Sequence, residues 1–207
     1  EGFVPRRTVY FESACTEETD GEGCDHITNV LKERGIKLFM TLDEGGMILE
    51  EPIPGAKGKY AMVGVGEKGC ADIKFIARSR GGHASTPPKN TPLVRLGKFM
   101  VEAEKAKIFD VELNDVVAEM FRRVSKGMSG ALKIVLGHPK FFKPLIKTVM
   151  PAVSGTAAAM LRTTLAFTTA AGSDGLNVIP QTAYVTGNMR FSHHQGGESS
   201  IKAVTEL

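Results

Sequence analysis

Two adjacent glutamates, Glu17 and Glu18, follow the apolar run at residues 8–11, and Asp43 follows a second apolar run at residues 36–42. Carboxylates at the ends of buried strands let an α/β protein gather metal ligands and a general base in one cleft, because ligands collect beyond the carboxyl ends of parallel strands. Adjacent glutamates can point in different directions, so one can bind a metal while its neighbour meets the water that the metal activates. Zinc lowers the pKa of bound water from about 15.7 to about 7, and a nearby carboxylate can then finish the deprotonation. By itself, an acid pair in a loop is more often solvated surface. The glycines after Glu44 either allow a close backbone approach or simply make a turn.

Further candidates are spread along the chain. His83 sits in the loop Gly81-Gly82-His83-Ala84-Ser85-Thr86-Pro87-Pro88, Asn177 precedes Val178-Ile179-Pro180, and Arg190 ends an apolar alternating run. Each has a plain reading: a surface histidine, a turn asparagine, an exposed ion-pair partner. His193 and His194 are adjacent and do not suit one metal, while His26 and His138 have no partner at ligand spacing. Arg122, Arg123, Lys126, Lys133, Lys140, Lys143 and Lys147 form a basic group, either a solvated helix face or an attractor of acidic substrates.

The elements that must position these residues follow from patterning. Residues 6–11 and 36–42 read as buried strands flanking a helix with Ile27, Val30 and Leu31 on one side and Gly35 as its stop, which predicts a parallel β-α-β unit. Residues 60–65 predict another strand. After Gly66 the character changes: a half-exposed strand at 71–79, a helix at 92–107, and strands at 162–169 and 182–191 predict a small antiparallel sheet with helices on one face. Residues 108–160 read as a helical insertion, and a helix begins near Glu198.

The chain has 207 residues, 42% hydrophobic and 24% charged, with a formal net charge of +3. That charge is too small, and too little interleaved with aromatics, to argue for nucleic acid. No apolar run has the length of a membrane span. Cys15, Cys24 and Cys70 lack metal-site spacing and are expected as buried, reduced thiols of a cytoplasmic protein.

Taken in order, the motifs resemble the di-zinc aminoacylase and carboxypeptidase family, in its carboxypeptidase S-type branch. The resemblance rests on Arg7-Thr8-Val9 before Glu17-Glu18, Leu42-Asp43-Glu44-Gly45-Gly46 and Glu67-Lys68-Gly69. It continues through Gly82-His83-Ala84-Ser85, Arg162-Thr163-Thr164, Asn177-Val178-Ile179-Pro180 and Arg190. It implies an α/β fold: part of a parallel-sheet zinc-peptidase catalytic domain (1–66), an inserted α+β lid domain (67–191), and a return into the catalytic domain (192–207). It implies two zinc ions, with Glu17 as general base and Glu18 and Asp43 as metal ligands. His83 then polarises the scissile carbonyl of the partner subunit's substrate, and Asn177 and Arg190 hold the substrate's carbonyl or carboxylate. The substrate is a peptide or N-acyl amino acid, and the lid makes a homodimer.

Thr16 stands where the family has Asp, and the family's His-x-Asp motif and last histidine ligand have no counterpart here. Two of five expected ligands do not close a tetrahedral zinc site. The expectation is therefore an internal piece of a zinc-dependent amidohydrolase, catalytically silent alone; the competing expectation is a non-catalytic dimerisation or binding module on the same scaffold.

Overall fold

The computed structural model describes residues 2–17 and 21–207. The chain divides into two compact units, Glu1–Glu44 and Gly45–Leu207.

The first unit contains helix α1 (Gly23–Glu33), on which Ile27, Val30 and Leu31 are the half-buried stripe. Its end is closed by Gly35 and Ile36, whose N–H groups donate to the carbonyls of Lys32 and Leu31 at 2.9 and 3.0 Å. The strands expected at 6–11 and 36–42 are absent, and so is the parallel pair: every ladder among the described residues is antiparallel. A strand exists only where its backbone finds a ladder partner, and these two runs find none. Their apolar side chains stay exposed, 92% for Phe11 and 80% for Phe39. Arg7 lies over the Phe39 ring, 4.6 Å from its centroid, as a contact between the two runs.

The second unit opens with a hairpin of β1 (Met47–Glu50) and β2 (Lys59–Met62). β2 is the first half of the strand expected at 60–65, and β1 was not foreseen. The glycines after Glu44 serve this hairpin: Gly46 has φ +83°, and a Cβ there would lie 2.5 Å from the Met62 carbonyl oxygen.

The main sheet has the order β3-β7-β5, built from β3 (Gly69–Arg78), β5 (Thr164–Ala171) and β7 (Thr182–Phe191). On β7 the side chains alternate: Ala183, Val185 and Met189 are buried, while Tyr184, Thr186, Asn188 and Arg190 share the other, open face. Helix α2 (Pro92–Lys105) packs its Leu96 with Ala77, Ala183 and Val185, flanked by Phe75, Met100 and Phe167. Pro92 suits its first turn, where the missing N–H donor would have had no intrahelical acceptor. One short pair, β4 (Gly82–His83) with β6 (Val178–Ile179), lies beyond the start of β7.

Helices α3 (Asp115–Val124), α4 (Gly130–Gly137), α5 (Lys143–Val153) and α6 (Gly155–Leu161) fill residues 115–161. They enclose the larger core, around Phe121, Leu136, Ile146 and Leu161. Asn114 caps α3 by accepting from Val117 N at 2.8 Å, and Ser154 caps α6 by accepting from Ala157 N. Tyr60 joins the hairpin to this core, its hydroxyl donating to the Val124 carbonyl at 3.2 Å. Helix α7 (Gly197–Thr205) closes the chain. All three cysteines are free and exposed, against the expectation of burial. Cys70 lies on the open face of β3, opposite Arg190, and Cys24 sits on a helix with no fully buried residue.

Candidate functional site

The candidate residues fall into separate groups. In the first unit Glu17 is exposed and Asp43, also exposed, accepts the Glu44 N–H through Oδ1 at 2.9 Å; Glu18 lies outside the described residues. Neither Glu17 nor Asp43 ends a strand, because the strands expected before them do not form. Among the described residues, no three His, Cys, Asp or Glu side chains come together in a way that could hold a metal ion. A zinc ion takes four donors in a closed site, so the described residues by themselves do not fit a zinc centre.

His83 and Asn177, far apart in the chain, are brought together. β4 pairs with β6 so that His83 stands opposite Val178, and Ala84 N–H donates to the Asn177 carbonyl at 2.8 Å. The loop carrying His83 is tied to the start of β7: Ser79 N–H donates to the Gln181 carbonyl at 2.8 Å, and Ser79 Oγ donates to the Pro180 carbonyl at 2.8 Å. Ser85 N–H donates to His83 Nδ1 at 3.1 Å, and Ser85 Oγ lies 2.8 Å from the same nitrogen. A backbone N–H only donates, so neutral His83 keeps Nδ1 bare and carries its proton on Nε2. Nε2–H is thereby a donor fixed on an exposed ring, the form needed to polarise a carbonyl oxygen.

Arg190 sits at the other end of β7. Its Nε donates to Asn188 Oδ1 at 3.0 Å, and Asn188 Nδ2 donates to Asp72 Oδ1 at 2.8 Å. The strand between Thr182 and Arg190 is roughly 26 Å long at about 3.3 Å per residue. The chain by itself therefore holds His83 and Arg190 too far apart to touch one amide and its neighbouring carboxylate.

Five of the seven cations on the helices are ion-paired, sharing three carboxylates. Glu119 binds Arg122 and Arg123, Asp115 binds Lys140, and Glu112 binds both Lys143 and Lys147. These lysines hold the Glu112 carboxyl down to about 2, mainly by hydrogen bonding. The ion pairs order much of the face, and seven cations against three carboxylates leave it net positive. His194 is likewise structural: its Nε2 lies 2.8 Å from the Asp110 carbonyl, beside a buried cluster of Thr163, Ser192 and Ser200 hydroxyls.

Residues 65–207 match the model of the peptidase dimerisation domain of the M20 type. The chain belongs to this family. Its antiparallel sheet with a helix on one face is the dimerisation domain's architecture as the sequence predicted it. The chain is 31% identical over 205 residues to human N-fatty-acyl-amino acid synthase/hydrolase PM20D1, covering 99% of the chain and 40% of that protein. It is 32% identical over 197 residues to Probable carboxypeptidase S-like 2 of Dictyostelium discoideum, covering 92% of the chain and 37% of that protein. The M20 dimerisation domain and its flanks thus span about 40% of the length of these curated relatives, which bear hydrolase and carboxypeptidase names. No helix among the described residues is long and apolar enough to cross a membrane.

Proposed function

We propose that this chain supplies the substrate grip, the carbonyl-polarising histidine and the dimer contact of an amidohydrolase that cleaves a peptide or N-acyl amide beside a free carboxylate. The observation that carries the reading is the division of labour along β7. Arg190, with free guanidinium N–H groups, suits a carboxylate, while His83, with its proton on Nε2, suits a carbonyl. Their separation supports a site shared by two protomers, in which each Arg190 serves its own site and each His83 serves its partner's. Asn177, beside His83, holds the same carbonyl. Glu17 takes a proton from the attacking water and passes it to the leaving amine. Glu18 and Asp43 contribute donors to the two-zinc centre of the family. The remaining donors are not among the described residues of this chain.

The dimer contact has its own support. Both β3 and β5 present open edges, and α2 exposes Val94 and Val101 with Gly97 between them, where a Cβ would meet no atom within 4 Å. A small residue with a valine about one turn away on either side lets a second helix approach closely. Val101→Glu should shift light scattering from dimer to monomer; an unchanged dimer would place the contact elsewhere.

Complementation tests the whole reading in the protein that carries this chain. His83→Ala and Arg190→Met should each abolish hydrolysis of an N-acyl amino acid. Mixed and allowed to exchange subunits, they should recover roughly a quarter of the activity, since half the dimers are mixed and one site in each is intact. No recovery overturns the shared site, and hydrolysis by Glu17→Gln overturns the base assignment. A second reading, a binding module without catalysis, is favoured by the lack of a metal-binding group among the described residues; it predicts no turnover in any variant and no bound zinc by elemental analysis.

A further inference from the structure

Three cations converge where β7 ends. Lys68 immediately precedes β3, Arg162 lies two residues before β5, and Arg190 lies on β7 opposite Cys70 and Thr164. The antiparallel order puts both edge-strand starts and the central strand's end at the same edge of the lid. Arg162 has extended backbone (φ −149°, ψ 165°). β3 and β5 are not neighbours; with β7 between them they lie roughly 9.5 Å apart.

Lys68 crosses that gap. Its Nζ donates to the Arg162 carbonyl at 2.8 Å and the Ala159 carbonyl at 3.0 Å, part-buried acceptors at and just past the C-terminal end of α6. Burial, then the charges of Arg190 and Arg162, lower its pKa, so the three charges lie close enough to repel. None of the three forms an ion pair among the described residues; Asp72 is the nearest acid in the network and reaches Arg190 only through Asn188. Among the described residues Arg162 makes no side-chain hydrogen bond and Arg190 uses only Nε. Two guanidiniums with open donors beside a partly buried ammonium carry an uncompensated positive charge, which an oxyanion would relieve.

We infer that Arg162 joins Arg190 in seating a ligand carboxylate, and that Lys68 is a positioning residue strapping the Arg162 segment across the end of β7. The assignment deepens the proposed substrate grip and rests on it for the choice of a carboxylate. α6 holds the strap from behind, since Ala157 and Leu161 are buried in the larger core.

The test is titration of the 207-residue chain by NMR, reading the Arg Nε–H resonances, with N-acetylglycine, N-acetylglycinamide and inorganic phosphate as probes. N-acetylglycine should move Arg162 and Arg190 together with one dissociation constant, and the amide should move neither. Lys68→Met should weaken binding about tenfold, and Lys68→Arg, which keeps the donors, should recover most of it. Should Lys68→Met fail to fold, Arg162→Met gives the same comparison from the loss of a half-buried side chain. Movement of Arg190 alone, equal response to the amide, or tighter binding of phosphate overturns the carboxylate seat. Binding is read without turnover, so a seat that binds in a protein that hydrolyses nothing sinks the proposed function and leaves the seat standing.

Discussion

Where β7 begins, His83 is held by a pair of two-residue strands, the Ser79 bonds and its own Ser85. Where β7 ends, Lys68 bonds one carbonyl of α6 and that of Arg162 just past it, and α6 is packed into the larger hydrophobic core. One end is built from local backbone pairing and a tautomer lock; the other leans on a buried helix. The difference matches what each end must present. A donor aimed at a carbonyl needs one defined proton. A carboxylate seat needs two cations held against their mutual repulsion, and only a packed support supplies the restraint for that.

The largest effect should come from loosening the supported end. Leu161 is fully buried beneath the carbonyls that Lys68 binds, so Leu161→Ala should cost about 2–5 kcal/mol by urea denaturation. The folded variant should also bind N-acetylglycine more weakly while the His83 ring signals stay put. Weakening at neither end would show that α6 does not brace the cations.

The converse substitution strikes the other end. Gly81 has φ +71°, and a Cβ there would meet Gln181 Cγ at 2.8 Å and the Ile179 carbonyl oxygen at 3.2 Å. Gly81→Ala should cost about 1–2 kcal/mol and speed hydrogen exchange at Ala84 N–H, which the β4–β6 pairing protects. Arg190 should not respond. A shift of its Nε–H would mean that the two ends are coupled along the strand and that the contrast between them is too sharp.

Acid tests the insertion that backs the supported end. Glu112 is held near 2 by Lys143 and Lys147, against an ordinary value of 4.5. A depressed carboxylate contributes stability that is present above 4.5 and lost as pH falls toward 2. Glu112→Gln should flatten the stability profile between those values, and an unchanged profile would remove these ion pairs from the account.

The sheet was legible because one face is covered. Alternation along 182–191 marks β7 correctly, since α2 buries Ala183 and Val185 and leaves Asn188 and Arg190 out. The runs at 6–11 and 36–42 carry the same β-forming residues, yet composition does not say whether a ladder partner exists, and none does among the described residues. The four-residue β1 is too short to show a period. The site was half legible: His83, Asn177 and Arg190 stood out as motif residues, but the pairing of His83 with Asn177 joins distant segments that no local pattern connects. Lys68 was visible only as the middle of Glu67-Lys68-Gly69. Its signal was a lysine directly before a strand, and its role appears only once β7 is known to lie between β3 and β5. Glu17 and Asp43 were tied to strand ends that do not form, so their placement could not be read from the runs before them.

The smallest effect separates two ways of fixing the His83 proton. Both the Ser85 N–H and the Ser85 hydroxyl approach Nδ1, but only the N–H is obliged to donate. If the backbone sets the tautomer, Ser85→Ala removes one hydrogen bond, costs about 0.5–1.5 kcal/mol or less at this exposed position, and leaves the proton on Nε2. Nitrogen NMR of the imidazole would then still show a bare Nδ1. If the proton moves to Nδ1 in the variant, the hydroxyl was the lock, and the His83 end depends on a side chain as the other end depends on Lys68.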